Sequence, residues 1–318
     1  MNITHKVTKT QKEQNMYENF RSGFICVAGL ANAGKSTLTN ALVGEKVSIV
    51  SWRPQTTRNK LLGIINKDDF QMVLIDTPGI HKARNHLGEY MMEAVDKGLK
   101  DVDGVLYVID GAKGLQKEDY EFLQKNAKKV PIVVALNKED AVTKETVFAS
   151  LEKLNGIEGL QAVVPISAKK GENLEPLMQE LVSLMPFGAP MYPTDMFTDS
   201  TMRFMATEII REKALYLLDK EVPYGIGVYI NKFEEREDKP ICEIDADIIV
   251  EKQSHKAIVI GKGGEMLKQI ATRARKDLEE MIGTQVFLTL YVRVKNEWRD
   301  NDLVMKELGY DLKSLKKE

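Results

Sequence analysis

Residues Gly29-Leu-Ala-Asn-Ala-Gly34-Lys35-Ser36 have the spacing GxxxxGKS. Each fixed position has a task in holding phosphate. Glycines let consecutive backbone N–H groups turn inward around an anion, and a following helix N-terminus adds partial positive charge. Lys35 is placed to reach the β- and γ-phosphates of a nucleotide and Ser36 to ligate Mg2+. Gly29, Asn32, Ala33, Gly34 and Thr37 complete the expected phosphate-binding set. A plain glycine-rich turn would not need the strand before it and the helix after it.

A second tetrad, Asn137-Lys138-Glu139-Asp140, follows the apolar run Pro131–Leu136. It is good turn chemistry by itself. Downstream of a phosphate loop it reads guanine. The Asp140 carboxylate can accept from guanine N1–H and from the exocyclic amine. Adenine lacks that donor pair and would leave the carboxylate unpaired, on the order of a 10⁴-fold preference. Asn137 and Lys138 would brace the base and the phosphate loop. Ser167-Ala168-Lys169, after Val163–Ile166, would set a backbone N–H on guanine O6. Asp76-Thr-Pro-Gly79 follows the apolar run Gln71–Ile75, so Asp76 can join the Mg2+ shell and the Gly79 N–H can sense a γ-phosphate. The polar segment Pro54-Gln-Thr-Thr57-Arg58 offers a threonine that ligates Mg2+ only when GTP is present, which makes it a switch. The set predicts a Mg2+–GTP/GDP site with Ser36, Thr57 and Asp76 on the metal.

These residues need strands that end together. Phe24–Ala28, Leu61–Asn66, Gln71–Ile75, Gly104–Asp110, Pro131–Leu136 and Val163–Ile166 read as strands, with helical patterns between most of them, among them Lys35–Val43 and Asn173–Met185. That alternation predicts an α/β unit with a mostly parallel sheet, whose ligand loops gather at the carboxyl ends of the strands. The expected division is a polar tail over residues 1–21, a GTP-binding domain over 22–185, a linker over 186–200 with three prolines, an α+β domain over 201–300, and a C-terminal tail over 301–318.

With 318 residues, 43% hydrophobic and 29% charged, the chain can bury two cores, and neither disorder nor a membrane span is indicated. Cys26 and Cys242 sit in separate strand-like runs, as buried thiols of a reducing cytosol do. The net charge of −2 hides a local contrast. Residues 231–251 carry eight acidic and three basic groups, and residues 252–276 carry seven basic and one acidic. Inside the basic stretch lies Val259-Ile260-Gly261-Lys262-Gly263-Gly264, leading into Glu265-Met-Leu267-Lys268-Gln-Ile270. The glycines would admit a sugar–phosphate backbone. Lys262, Lys268, Arg273, Arg275 and Lys276 would supply positive potential, and Ile260 would line a shallow base groove. Tyr291 and Trp298 could stack on bases or cap the last strand.

The pattern VIGxxGxxLxxI resembles the GXXG signature of KH domains, which clamp single-stranded RNA. A GTPase followed by such a unit resembles the Era family of ribosome-assembly GTPases, from Gly23 to about Leu308. The resemblance implies a P-loop GTPase domain, then a type II KH domain with a short helix, not a strand, before Gly261. It implies slow GTP hydrolysis, binding to the 3′ end of small-subunit (16S) ribosomal RNA, and a role in small-subunit maturation. It also implies a cytoplasmic protein, with weak peripheral contact at the inner face of the cell membrane. Nothing in the sequence suggests an obligate dimer, so a monomer is expected. Thr57 is preferred to Thr56 because it precedes Arg58, as the switch threonine does in related GTPases. Lys35, Thr57, Gly79 and Asn32 are then the expected catalytic set. Ile80 stands where many switch GTPases have a water-orienting glutamine, so the chemistry must come from elsewhere. An Asn at the position of Asn32 helps related GTPases bind K+, which makes K+ a candidate cofactor. Ala31 replaces the family's usual proline.

Two other readings stand beside this one. A P-loop kinase or ATPase without RNA is opposed by Asn137–Asp140. A membrane-associated GTP-dependent signalling switch with non-specific RNA binding is suggested by Lys313, Lys316 and Lys317, although no lipidation motif accompanies them.

Overall fold

A computed structural model describes residues 17–236 and 239–317; the tail expected at the N-terminus lies outside them up to residue 16. The described chain forms two compact units. The first comprises residues 17–48, Lys60–Gly79 and Lys97–Asp199, and the second comprises Ile49–Asn59, Ile80–Asp96 and the chain from Ser200 onward.

In the first unit, strands β1 (Arg21–Ala28), β2 (Leu61–Asn66), β3 (Phe70–Asp76), β4 (Gly104–Asp110), β5 (Ile132–Asn137) and β6 (Leu160–Pro165) form one sheet in the order β2-β3-β1-β4-β5-β6. All neighbours are parallel except β2 and β3. The central strands β4 and β5 are buried at every residue, as unbroken apolar runs covered on both faces must be. Helix α1 (Lys35–Val43) follows the glycine-rich loop and stops where Gly44, at φ 84°, donates its N–H to Asn40. Helix α2 (His86–Gly98) belongs for most of its length to the second unit, and helices α3 (Lys117–Asn126), α4 (Lys144–Asn155) and α5 (Leu174–Leu184) complete the alternation here.

The proline-rich stretch after Met185 is bonded along the sheet. Buried Gln71 on β3 donates to Tyr192 O at 2.8 Å and accepts from the N–H groups of Met191 and Tyr192. Ile64 N donates to Phe197 O at 2.9 Å, so the chain satisfies part of the exposed edge of β2.

The second unit opens with α6 (Met202–Leu217), capped by the Thr201 hydroxyl. Strands β7 (Gly227–Glu235), β8 (Ile241–Val250) and β9 (Gln285–Val294) form a three-stranded sheet in that order, β8 antiparallel to β7 and parallel to β9. Helices α7 (Gln253–Ile260) and α8 (Glu265–Ile282) flank the GKGG loop, and α9 (Asp302–Glu307) and α10 (Leu312–Lys317) end the chain. The short helix that family resemblance implied before Gly261 is therefore present. Along β8, Cys242, Ile244, Ala246, Ile248 and Val250 point into the core with α6 and α8, while Ile249 on the opposite face is buried with Trp298 and Tyr310.

Residues 49–59 are held in this second unit by arginines. Arg53 Nε donates to Leu215 O at 2.8 Å, and the guanidinium also reaches Leu218 O and Asp219. Arg58 is 1% exposed and donates to Ile226 O at 2.6 Å and Tyr224 O at 3.2 Å. Arg211 reaches back to Thr56 O, and Glu212 accepts from Val50 N. The α2 residues Leu87, Tyr90 and Met91 pack with Trp298, Met305 and Tyr310. No helix among the described residues is long and apolar enough to cross a membrane. Cys26 and Cys242 are buried and unbridged.

Candidate nucleotide site and candidate RNA interface

The glycine-rich loop is shaped by close backbone approach. Gly29 has φ 143°, and a Cβ there would lie 2.3 Å from Val108 O. At Gly34, φ 98°, a Cβ would meet the Asn137 side chain at 2.2 Å. The Lys35 ammonium is buried at the centre, 3.0 Å from both Gly29 O and Leu30 O. Burial lowers its pKa to about 8, against the opposing pull of Asp76. The loop thus supplies N–H groups, a helix N-terminus and one desolvated cation to an anion.

Ser36 and Asp76 are brought together by a side-chain hydrogen bond. Asp76 is fully buried, and burial raises its pKa, opposed by Ser48, Lys35 and Ser36. Its Oδ2 accepts from Ser48 Oγ at 2.7 Å, and its Oδ1 has no partner among the described residues. A buried carboxylate oxygen without a donor beside a serine hydroxyl fits a hard divalent cation such as Mg2+. Ser48 was not singled out from the sequence. Gly79 approaches the phosphate loop so closely that a Cβ would lie 2.7 Å from Ala31 Cα. Thr57, the third expected metal ligand, is buried and belongs with residues 49–59 to the second unit.

The guanine-reading residues tie three loops together. Asn137 Nδ2 donates to Ala33 O at 2.9 Å, and its Oδ1 accepts from Lys138 N and Ala168 N. Lys138, at φ 67°, donates from Nζ to Asn32 O at 2.8 Å and to Asp110 Oδ2 at 2.7 Å. Asp110 was not foreseen, although a carboxylate closing a central parallel strand stands where such ligand loops converge. Asp140 is exposed, and its Oδ1 accepts from Ser167 Oγ at 2.7 Å. That bond orients the carboxylate and leaves its other oxygen for a base. Lys169 is exposed beside Ala168, and Thr37 lies in the first turn of α1. Of the nucleotide-site residues expected from sequence, all but Thr57 belong to this unit.

In the second unit Gly261, at φ 74°, is packed so that a Cβ would lie 2.7 Å from Met266 Cβ. Gly263 (φ 61°) and Gly264 (φ 82°) have open space where a side chain would stand. The loop therefore has one structural glycine and two that leave backbone accessible at the start of α8. Lys262, Lys268, Arg275 and Lys276 are exposed, and Ile260 packs half-buried against the core. Arg273 is exposed too, but its guanidinium lies 5.6 Å from the Tyr216 ring, about 140° around α8 from Lys268. Trp298 does not face a base groove. It is 0% exposed, and its Nε1 donates to Gly225 O.

Comparison with known proteins agrees with this geometry. Residues 24–138 match the family described as 50S ribosome-binding GTPase, and residues 221–299 match the KH domain family. The chain is 45% identical to GTPase Era of Caldicellulosiruptor saccharolyticus over 298 residues, covering 93% of this chain and 99% of that protein. It is 46% identical to GTPase Era of Clostridium kluyveri over 291 residues, covering 91% and 99%. Among solved structures, a single-substitution variant of Aquifex aeolicus Era bound to GDP·AlF4⁻ superposes with a TM-score of 0.88 at 37% identity, covering 92% of this chain and 99% of that one. An Era in complex with MgGDPNP and nucleotides 1506–1542 of 16S ribosomal RNA superposes with the same TM-score, identity and coverage.

Proposed function

Because the chain belongs to the Era family of GTPases, we propose that it is a GTP-controlled RNA-binding factor acting on the 3′ end of 16S ribosomal RNA during maturation of the small subunit. The observation that carries this reading is the accessible backbone at Gly263 and Gly264, beside exposed Lys262 and Lys268, in the same chain as a guanine-reading site. A relative of the same architecture is held in complex with nucleotides 1506–1542 of that RNA.

GTP hydrolysis divides among the residues as follows. The loop from Gly29 to Thr37 binds the phosphates, and Lys35 neutralises charge at the bond that breaks. Ser36 and the Oδ1 of Asp76 would hold Mg2+, which would supply positive charge to the phosphates. Asp140, with Asn137, Lys138 and Ala168 behind it, selects guanine. Gly79 N–H and Thr57 respond to the γ-phosphate. Ile80 cannot orient water, so turnover is slow unless charge is supplied from elsewhere, K+ near Asn32 being our candidate.

The switch draws on the arginines that hold residues 49–59. Thr57 would be the metal ligand that depends on GTP, whereas Arg53 and Arg58 donate from the same segment to Leu215 O and Ile226 O, and Arg211 donates to its Thr56 O. Nucleotide state and RNA affinity are then coupled through one short segment.

Binding of a labelled oligonucleotide with the 16S 3′ end, in GTP analogue and in GDP, tests the reading. Aspartate tolerates the left-handed conformation of Gly263, and the space there is open, so Gly263→Asp adds charge without forcing the fold. Tight, GTP-favoured binding that Gly263→Asp abolishes is the expected result. Binding no better than to a scrambled RNA removes the RNA half of the proposal.

A further inference from the structure

The hydroxyl that Ser48 places on Asp76 belongs to no nucleotide motif. It donates to Asp76 Oδ2 at 2.7 Å in a dry setting, with Ser48 1% exposed and Asp76 0%. Oδ1 of the same carboxylate has no partner among the described residues. The last torsion of an aspartate side chain is broad and roughly two-fold, so staggering does not fix where its oxygens lie. A donor held on one oxygen removes that freedom and sets the position of the other. Burial works against the Asp76 charge, and of the groups that oppose it Ser48 counts most, ahead of Lys35 and Ser36.

Ser48 is itself fixed by α1. Asn40 Oδ1 accepts from Val47 N at 3.0 Å and from Ser48 N at 2.9 Å, and Asn40 Nδ2 donates to Ser48 O at 2.7 Å. Both backbone groups of Ser48 are thus bound to one side chain. The chain folds back onto the helix this soon because Gly44 ends it in a left-handed conformation. Asn40 lies four residues after Ser36, on the same face of α1. The helix therefore presents two hydroxyls to Asp76, Ser36 directly and Ser48 through Asn40. Closing the turn after α1 would explain the backbone bonds of Asn40, but it does not require a hydroxyl on the carboxylate.

We propose that Ser48 is a positioning residue for the Mg2+ of the nucleotide site, holding Asp76 Oδ2 so that Oδ1 keeps the orientation the cation needs, and that Asn40 acts through Ser48. Hydrogen-bond partners of a metal-binding carboxylate are worth about 10-fold to 100-fold in metal affinity. The proposal rests on Ser36 and Asp76 as the metal residues, which the Mg2+ dependence of the unaltered chain checks by itself.

The test measures fluorescent GDP binding to the full chain in EDTA and then across a Mg2+ titration. It reads the Mg2+ concentration at which the gain in GDP affinity is half complete. Ser48→Ala should raise that midpoint about 10-fold or more and change GDP affinity in EDTA by less than about twofold. Asn40→Ala should raise the midpoint too, and the double variant should go no further than the larger single shift. GDP binding in EDTA is read on folded protein, so a variant that loses its fold shows it there, and Asn40→Ala then carries the test. An unmoved midpoint in Ser48→Ala overturns the proposal. So does a loss of GDP affinity in EDTA as large as in Mg2+, because Ser48 would then only support the fold of the site. Additive shifts in the double variant overturn the part given to Asn40. If the unaltered chain gains no GDP affinity from Mg2+, the metal assignment fails and the proposal with it.

Discussion

Lys35 gives the nucleotide site a proton linkage that can be measured. Its pKa near 8 comes from burial among carbonyls, with Asp76 only partly compensating. Phosphates of a bound nucleotide would return it to the ordinary lysine range, near 10.4. The complex therefore holds a proton that the free protein gives up as pH rises through about 8, and affinity is full below that pH and lost above it. With the free pKa at about 8, roughly nine-tenths of the molecules carry the ammonium at pH 7 and about a quarter at pH 8.5. The GDP dissociation constant should rise about fourfold over that interval, close to 0.8 kcal/mol. At pH 8 each binding event should take up about half a proton. Titration calorimetry in two buffers of different ionisation enthalpy reads the uptake, and fluorescent GDP reads the affinity. Stopping at pH 8.5 keeps the guanine N1 proton in place. For folding of the free protein the sign is opposite. The unfolded chain binds more protons between pH 8 and 10.4, so the Lys35 contribution to stability rises with pH there. A dissociation constant flat from pH 7 to 8.5, with heats independent of buffer, would refute the idea that desolvation sets this lysine's charge.

Four further outcomes follow from the geometry. Asp140→Asn should lower GTP affinity by about 10²-fold or more and improve binding of xanthosine triphosphate, whose 2-oxo group meets the new amide donor; unchanged selectivity in competition binding would show that Asp140 does not read the base. Arg58→Ala removes a buried guanidinium and leaves Ile226 O and Tyr224 O without their donor, so it should destabilise the second unit by about 2–3 kcal/mol in denaturant unfolding and raise hydrogen exchange in residues 49–59. Gly261→Ala should cost more stability than Gly263→Ala, because only at Gly261 does the added Cβ collide, at 2.7 Å from Met266; equal melting temperatures would contradict the packing. GTP turnover should be faster in K+ than in Na+ and lose that difference in Asn32→Ala, and equal rates in the two salts would remove K+ from the mechanism.

How much of this was legible depends on whether the signal is local. β4 is buried throughout and reads directly from Gly-Val-Leu-Tyr-Val-Ile-Asp. The loop–helix junction at Lys35 and the stop at Gly44 are likewise local events of backbone chemistry. The short helix α7 was not readable from residues alone. Its β-branched run, Ile258-Val-Ile260, favours a strand, and tertiary packing of Val259 and Ile260 into the sheet core overrides that preference. Of the two readings left open for Trp298, stacking on a base fails for the same reason in reverse. An aromatic at the end of a strand looks available for stacking, but α2 and the C-terminal helices close over it from more than two hundred residues away in one case. Ser48 and Asp110 were missed because neither carries a motif. Each acts only through a neighbour that folding supplies, Asp76 and Lys138 respectively.

Arg58 shows most clearly what sequence could not say. In Gln55-Thr-Thr-Arg58 it serves as a family marker, and a lone arginine in a polar segment suggests a solvated side chain. In the structure it is buried near Trp298 and Tyr310 with its Nε unsatisfied, and Arg211, also buried, leaves Nη1 without a partner. Two orphaned guanidinium donors make this a tense arrangement, since each costs about 1–3 kcal/mol relative to a paired group. A strong, fully paired anchor would hold residues 49–59 against any nucleotide. An anchor that gives back several kcal/mol holds the segment less tightly against a ligand that favours another position for it. On this argument the unsatisfied nitrogens are what keep the switch close to balance. Supplying a partner for Arg58 Nε should then lock the segment and weaken GTP relative to GDP, whereas Arg58→Ala should do the reverse.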